Sequence, residues 1–190
     1  TFSVISDSVG IGKTYISINM ASIYAMYGKK TVLIGMDLRK PRIYQEFGLS
    51  NKLGVSSYLS GKASINEVIQ PSGKLPTLDI ITAGPVPPNP AELIASDRCG
   101  EFFRELREIY DYIIIDTPPS RVVSDSLVMS TLADAMIFVI RKEHAKIAEI
   151  NETLDEIAGT NIDIAGVVFT MNDEESHGKI LNKGRGIRSN

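Results

Sequence analysis

The run SDSVGIGKTY, Ser6 to Tyr15, sets a lysine beside a hydroxyl just after two glycines. Gly12, Lys13 and Thr14 fit the end of the phosphate-binding pattern G-x-x-x-x-G-K-[ST], whereas Asp7 stands where that pattern has its first glycine. In such a loop the glycines let backbone N–H groups close around phosphate oxygens, and the following helix adds the positive end of its dipole. The lysine then reaches the β- and γ-phosphates and the hydroxyl ligates Mg²⁺. The loop residues Val9, Gly10, Ile11, Gly12, Lys13, Thr14 and Tyr15 are therefore assigned to nucleotide binding.

Two carboxylates extend this chemistry. Asp116 closes YDYIIIDTPP, and an acid at the tip of an apolar strand is placed to hold Mg²⁺ through its water shell; the competing reading is a cap for the next helix. Asp37 lies in VLIGMDLRKP, read as the end of a second strand, with Arg39 two residues on. Beside a triphosphate an acid can order metal-bound water or accept a proton while an arginine balances charge. Thr14, Asp37 and Asp116 are thus the expected metal residues, and Lys13, Asp37, Arg39 and Asp116 the expected catalytic ones. His144 and His177 have no companion ligands at metal spacing, Ser124 and Ser126 sit in no nucleophile elbow, and Cys99 reads as a helix position.

These groups need a scaffold that brings loop and strand tips to one edge. Strand-like runs occur at Phe2 to Ile5, Thr31 to Met36, Leu78 to Thr82, Tyr112 to Asp116, Ala135 to Ile140 and Ile164 to Thr170. Helix-period segments alternate with most of them: Lys13 to Tyr27, Ser96 to Ile109, Ser120 to Leu132 and Lys146 to Ala158. The pattern predicts an α/β fold, a three-layer sandwich whose mostly parallel sheet is covered by helices on both faces, with ligands at the carboxyl ends of the strands. TVLIGM and YIIID are apolar throughout, as strands buried on both faces must be. GPVPPNPAE is too rich in proline for regular structure and reads as a stiff connection into a helix starting near Asn89 and Pro90.

With 190 residues, 43% of them hydrophobic and 23% charged, the chain has material for one globular core. A net charge of −3 excludes a strong electrostatic footprint for nucleic acid, and the basic tail KILNKGRGIRSN reads as solvated. One cysteine excludes an internal disulfide, and no run reaches the roughly 20 apolar residues that span a bilayer. The chain opens almost on its first strand, which suggests a domain cut from something longer.

Beyond the loop, the segments MDLRKP, FGLSNKLGVSSYLSGKAS, GPVPPNPAELIAS, YDYIIIDTPP, SDSLVMSTLADAMIFVIRK and GVVF follow one another in the order of a known family. From about Phe2 to Asn172 the sequence resembles the cytoplasmic kinase domain of the bacterial tyrosine kinases tied to capsular and exopolysaccharide synthesis. That domain is similar in fold to the deviant-Walker, P-loop NTPase-like ATPases of the MinD and ParA kind. The resemblance implies ATP- and Mg²⁺-dependent transfer of the γ-phosphoryl group to tyrosine hydroxyls, often between neighbouring copies in a ring. It makes residues 1–172 the ATP-binding kinase domain and 173–190 a polar, basic tail. It implies as partners ATP, tyrosine-containing proteins including other copies of the chain, and a membrane polysaccharide co-polymerase or activator, with no nucleic acid. The place implied is the cytoplasmic face of the cell membrane. Gly10, Gly12, Lys13 and Thr14 become the first (Walker A) motif, Asp37 and Arg39 belong to the second, and Asp116 is the third.

The sequence departs from the family at several positions. The second motif usually reads Asp-x-Asp-x-Arg, and Gly35 replaces its first Asp, a candidate base for the tyrosine hydroxyl. Val9 and Ile11 stand in a loop that commonly reads Pro-Gly-Glu-Gly-Lys, and Thr170 stands where relatives of the fold place an adenine-contacting Asn, a role left to Asn172. The family's C-terminal tyrosine cluster is missing, the last tyrosine being Tyr112; Tyr15, Tyr24, Tyr110 and Tyr112 read as packed aromatics. The given sequence likewise shows no ring-contact helix ahead of the first motif, and the expectation is that the chain is either a fragment or a divergent member. Three readings stay open: a protein-tyrosine kinase, a non-catalytic domain that binds ATP as a regulatory switch, and a partitioning-type ATPase. Against the last stands Ser8, where that class has a signature lysine.

Overall fold

The computed structural model describes residues 1–6, 10–118, 132–141, 150, 155 and 163–170. In chain order the elements are β1 (Phe2–Ser6), α1 (Lys13–Met26), β2 (Thr31–Gly35), α2 (Ile43–Phe47), α3 (Val55–Leu59), α4 (Ile65–Val68), β3 (Ile69–Pro71), β4 (Leu78–Ile81), α5 (Pro90–Ile94), α6 (Asp97–Ile109), β5 (Tyr112–Asp116), β6 (Ala135–Arg141) and β7 (Asp163–Thr170). They build a seven-stranded sheet in the order β3-β4-β2-β5-β1-β6-β7. All neighbours run parallel except β3 and β4, which are antiparallel.

Alternation along the central strands separates two cores. Val32, Ile34, Ile113 and Ile115 pack on one face with Tyr58, Phe102, Phe103 and Leu106 of α3 and α6. Val4, Leu33, Ile80 and Ile114 point to the other face and meet Ala21 and Ala25 of α1. Successive strand residues face opposite sides, so a strand apolar at every position feeds both layers. The expected three-layer α/β sandwich is what forms.

Strand boundaries differ from the sequence expectation by at most one residue at either end, and β5 matches at both. The expected helices over 120–132 and 146–158 lie almost wholly outside the described residues, as do His144, His177, Ser124, Ser126, Ser8 and the tail. Three helices of four or five residues (α2, α3, α4) and the edge strand β3 were absent from the sequence reading, because pieces this short carry too few residues to show a period.

The proline-rich connection enters α5 with Pro90 at its first turn, as expected. It is clamped to the segment before α3: the Asn51 side chain donates Nδ2–H to the Gly84 carbonyl at 2.7 Å and accepts from the Gly84 amide at 2.9 Å. There the backbones run so close that a Cβ on Gly54 would lie 2.2 Å from the Thr82 carbonyl oxygen and 2.4 Å from the Gly84 nitrogen.

Candidate functional site

The loop between β1 and α1 turns through Gly10 (φ +76°) and Gly12 (φ +97°), left-handed conformations that glycine adopts without strain. Gly12 caps α1, so Lys13 and Thr14 open a 14-residue helix at its positive end. Lys13 is buried, and its ammonium donates to the Ser6 hydroxyl at the tip of β1, 2.7 Å away. The loop is also braced from the far strands. Thr170 Oγ1 donates to the Ile11 carbonyl at 2.8 Å, and Arg141 Nη1 lies 3.4 Å from the Gly10 carbonyl.

β5 lies between β1 and β2, with Asp116 in register with Val4 and Gly35. Its tip is fixed on both sides: the Met36 amide donates to the Asp116 carbonyl at 2.9 Å, and the Thr117 hydroxyl donates to the Val4 carbonyl at 2.6 Å. This points the Asp116 carboxylate at the first turn of α1. Thr14 Oγ1 donates to Asp116 Oδ2 at 2.8 Å, and the Ser17 hydroxyl lies 3.2 Å from Asp116 Oδ1.

Asp116 is 4% exposed, and its pKa is pushed up from 3.8 to about 6. Burial is the main cause; the Thr14 and Ser17 hydroxyls and the Lys13 charge pull back down, and the Asp37 carboxylate pushes up again. At neutral pH the group is still mostly ionised, as a metal-binding carboxylate must be.

Asp37 corrects one expectation: β2 ends at Gly35, so Asp37 lies two residues beyond the strand. Its Oδ1 accepts the backbone amides of Arg39 at 3.1 Å and Lys40 at 2.8 Å, an Asx turn that fixes the half-buried carboxylate. A small recess lined by Gly35, Asp37, Pro41, Arg42, Ile43, Ala83 and Asp116 joins the two acids. Gly35 is buried, and a Cβ there would meet nothing nearer than 3.5 Å, so the fold does not demand glycine at that position.

The structure thus brings together Gly10, Ile11, Gly12, Lys13, Thr14, Asp37 and Asp116. Val9 and Asn172 lie outside the described residues. Arg39 is exposed, and its backbone amide donates to Asp37. Tyr15 overturns the packed-aromatic expectation: its side chain is 67% exposed, because on α1 it points away from the face that Ser17 and Ala21 bury. Tyr24 and Tyr112 do pack, their rings stacked at 3.9 Å, and Tyr110 donates to Asp79 at 2.8 Å. Cys99 is a buried residue of α6 whose thiol burial pushes up to about 11.

Sequence reasoning missed Ser6, Ser17, Thr117 and the bracing role of Thr170. Ser17 was findable, since it stands three residues after Thr14 on one helix face. Thr170 carried no signal, because only the sheet order brings β7 to the loop; Ser6 adjoins the loop in the chain, but a lone serine at a strand end does not announce a bond to Lys13. Among the described residues no group of three or more His, Cys, Asp or Glu could hold a metal. A hydroxyl and one carboxylate, by contrast, suit Mg²⁺, which retains water and takes further oxygens from phosphates.

A parallel sheet with a glycine loop at a strand tip, a lysine and a hydroxyl opening the next helix, and an acid at the adjacent strand tip define a P-loop nucleotide-binding domain. Residues 1–165 match the family described as an AAA domain. The chain is 38% identical over 154 residues to the tyrosine-protein kinase YwqD of Bacillus subtilis, covering 80% of this chain and 65% of that protein. It is 35% identical over 158 residues to the tyrosine-protein kinase etk of Escherichia coli, covering 83% of this chain and 22% of that protein. The crystal structure of the VpsO kinase domain superposes with a TM-score of 0.85 at 35% identity, covering 90% of this chain and 84% of that one. The chain belongs to the AAA-domain family and, within it, to the bacterial tyrosine-protein kinases. It corresponds to under a quarter of the length of the longer relatives such as etk.

Proposed function

We propose that this domain transfers the γ-phosphoryl group of ATP to protein tyrosine hydroxyls, within a membrane-associated system for capsular or exopolysaccharide synthesis. The observation that carries the reading is the 2.8 Å pairing of Thr14 with Asp116 beneath a positive-φ glycine loop, beside a buried Lys13. Lys13 exchanges the Ser6 hydroxyl for phosphate oxygens. Thr14 and Asp116 hold Mg²⁺, with Asp37 ordering its water; the ion, when bound, neutralises charge on the phosphates. Asp37, fixed by its Asx turn, takes the proton of the incoming hydroxyl as its oxygen bonds to the γ-phosphorus and the bond to ADP breaks. Phosphoryl transfer needs mainly positioning and charge neutralisation, which is what these residues provide. Arg39 and the Val9 and Asn172 contacts to the nucleotide remain part of the proposal, as do further copies of the chain and a membrane polysaccharide co-polymerase as partners at the inner membrane face.

One observation favours a second reading. Gly35 is not required by the backbone, yet it removes the carboxylate that the family places there. The domain would then bind ATP as a regulatory switch with weak transfer. Incubation with Mg²⁺ and γ-labelled ATP, with and without a tyrosine-rich peptide, decides between them. Label on tyrosine supports the kinase, binding with no transfer supports the switch, and phosphate release alone supports a partitioning-type ATPase.

A further inference from the structure

Arg141 closes β6 and pairs in register with Thr170, the last residue of β7. These two strand ends meet the nucleotide loop at consecutive carbonyls, Gly10 for the arginine and Ile11 for the threonine. The contacts differ in quality. Thr170 makes a bond of ordinary length, 2.8 Å, whereas Arg141 Nη1 stands 3.4 Å from its carbonyl. The Nε–H of Arg141 is buried and has no acceptor among the described residues.

A guanidinium carries five donors and a permanent charge, and one neutral carbonyl at long range uses little of that capacity. Buried donors on charged groups are normally paired. Its place is also informative. β6 adjoins β1, from whose carboxyl end the loop departs, and ligands of open parallel sheets lie beyond those ends.

We propose that Arg141 is a nucleotide-binding residue whose guanidinium pairs with the phosphate chain of the nucleoside di- or triphosphate in the loop, while Thr170 holds the loop in place. This rests on the phosphate-loop reading above. It gives the loop a second cation, carried by a strand end on the side opposite β5 and Asp116. The planar fork suits paired phosphate oxygens better than it suits one carbonyl.

The test separates charge from bracing. Arg141→Gln keeps an N–H donor for the Gly10 carbonyl and loses the charge; Arg141→Lys keeps the charge and loses the fork. Calorimetric titration of ADP into the wild type and both variants, each with its nucleotide-free Tm, should give an affinity loss of about tenfold or more for Gln and a smaller loss for Lys. The gap between wild type and Gln should narrow as salt is raised. Equal affinity in all three proteins overturns the proposal. So does a Gln variant that binds as well as Lys or better, since that is what a simple brace gives. A wild type that binds neither ADP nor ATP overturns the phosphate-loop reading and this inference together.

Discussion

Replacing Asp116 by Asn tests the site through stability as well as through binding. Burial raises the Asp116 pKa from 3.8 to about 6, so the ionised form is disfavoured in the folded chain. That rise corresponds to about 3 kcal/mol at neutral pH, the most that removing the charge can return. Part is lost again. Thr14 and Ser17 now share an amide in place of two carboxylate oxygens, and the buried Lys13 loses a negative neighbour, together costing about 1–2 kcal/mol. The variant without nucleotide or metal should therefore be more stable by about 1–2 kcal/mol, a Tm rise of about 2–8 °C for a chain of this size. The pH dependence has a definite sign. Below about pH 4 the acid is protonated in both folded and unfolded chains and costs nothing. Between about pH 4 and 6 the folded chain holds a proton that the unfolded chain releases, so wild-type stability falls as pH rises. The gap between Asn variant and wild type should open across that window and stay level above it. Thermal melts in EDTA across pH 4 to 8 measure it, and melts with Mg²⁺ and ADP should show the larger ligand stabilisation in the wild type, since the variant keeps the loop and Lys13 but not the metal-holding charge. A variant less stable than the wild type near pH 7.5, or a gap independent of pH, would refute the reasoning.

Lys13→Met should abolish ATP binding, because it removes the buried cation at the loop; micromolar affinity retained in calorimetry would contradict the site assignment. Gly35→Asp has room for its Cβ and places a carboxylate in register with Asp116, so tyrosine phosphorylation should rise at least about tenfold if a missing base limits transfer. An unchanged rate of phosphotyrosine formation would show that Asp37 suffices. Gly54→Ala drives a Cβ into the Thr82 carbonyl and the Gly84 nitrogen and should cost about 3 kcal/mol or more in urea unfolding. A midpoint equal to that of the wild type would mean the two segments separate more easily than their hydrogen bonds suggest.

The sequence by itself determined the layers and most of the strands, because TVLIG and YIIID are apolar on both faces and only a sandwich buries both. It also placed Gly10, Gly12, Lys13, Thr14 and Asp116 at strand tips or the helix start, since loop, strand and helix are contiguous in the chain. What it could not determine depends on the order of strands in space. Setting β5 between β1 and β2 is what brings Asp116 within 2.8 Å of Thr14, 102 residues away. Running β6 and β7 outward from β1 is what delivers Arg141 and Thr170 to the loop. Asp37 looked like a strand-end acid, and its true setting came from two backbone amides of its own turn, a local competition that an apolar pattern does not register. Period and motif are properties of neighbours along the chain, whereas these contacts join residues that share nothing but the carboxyl edge of one sheet.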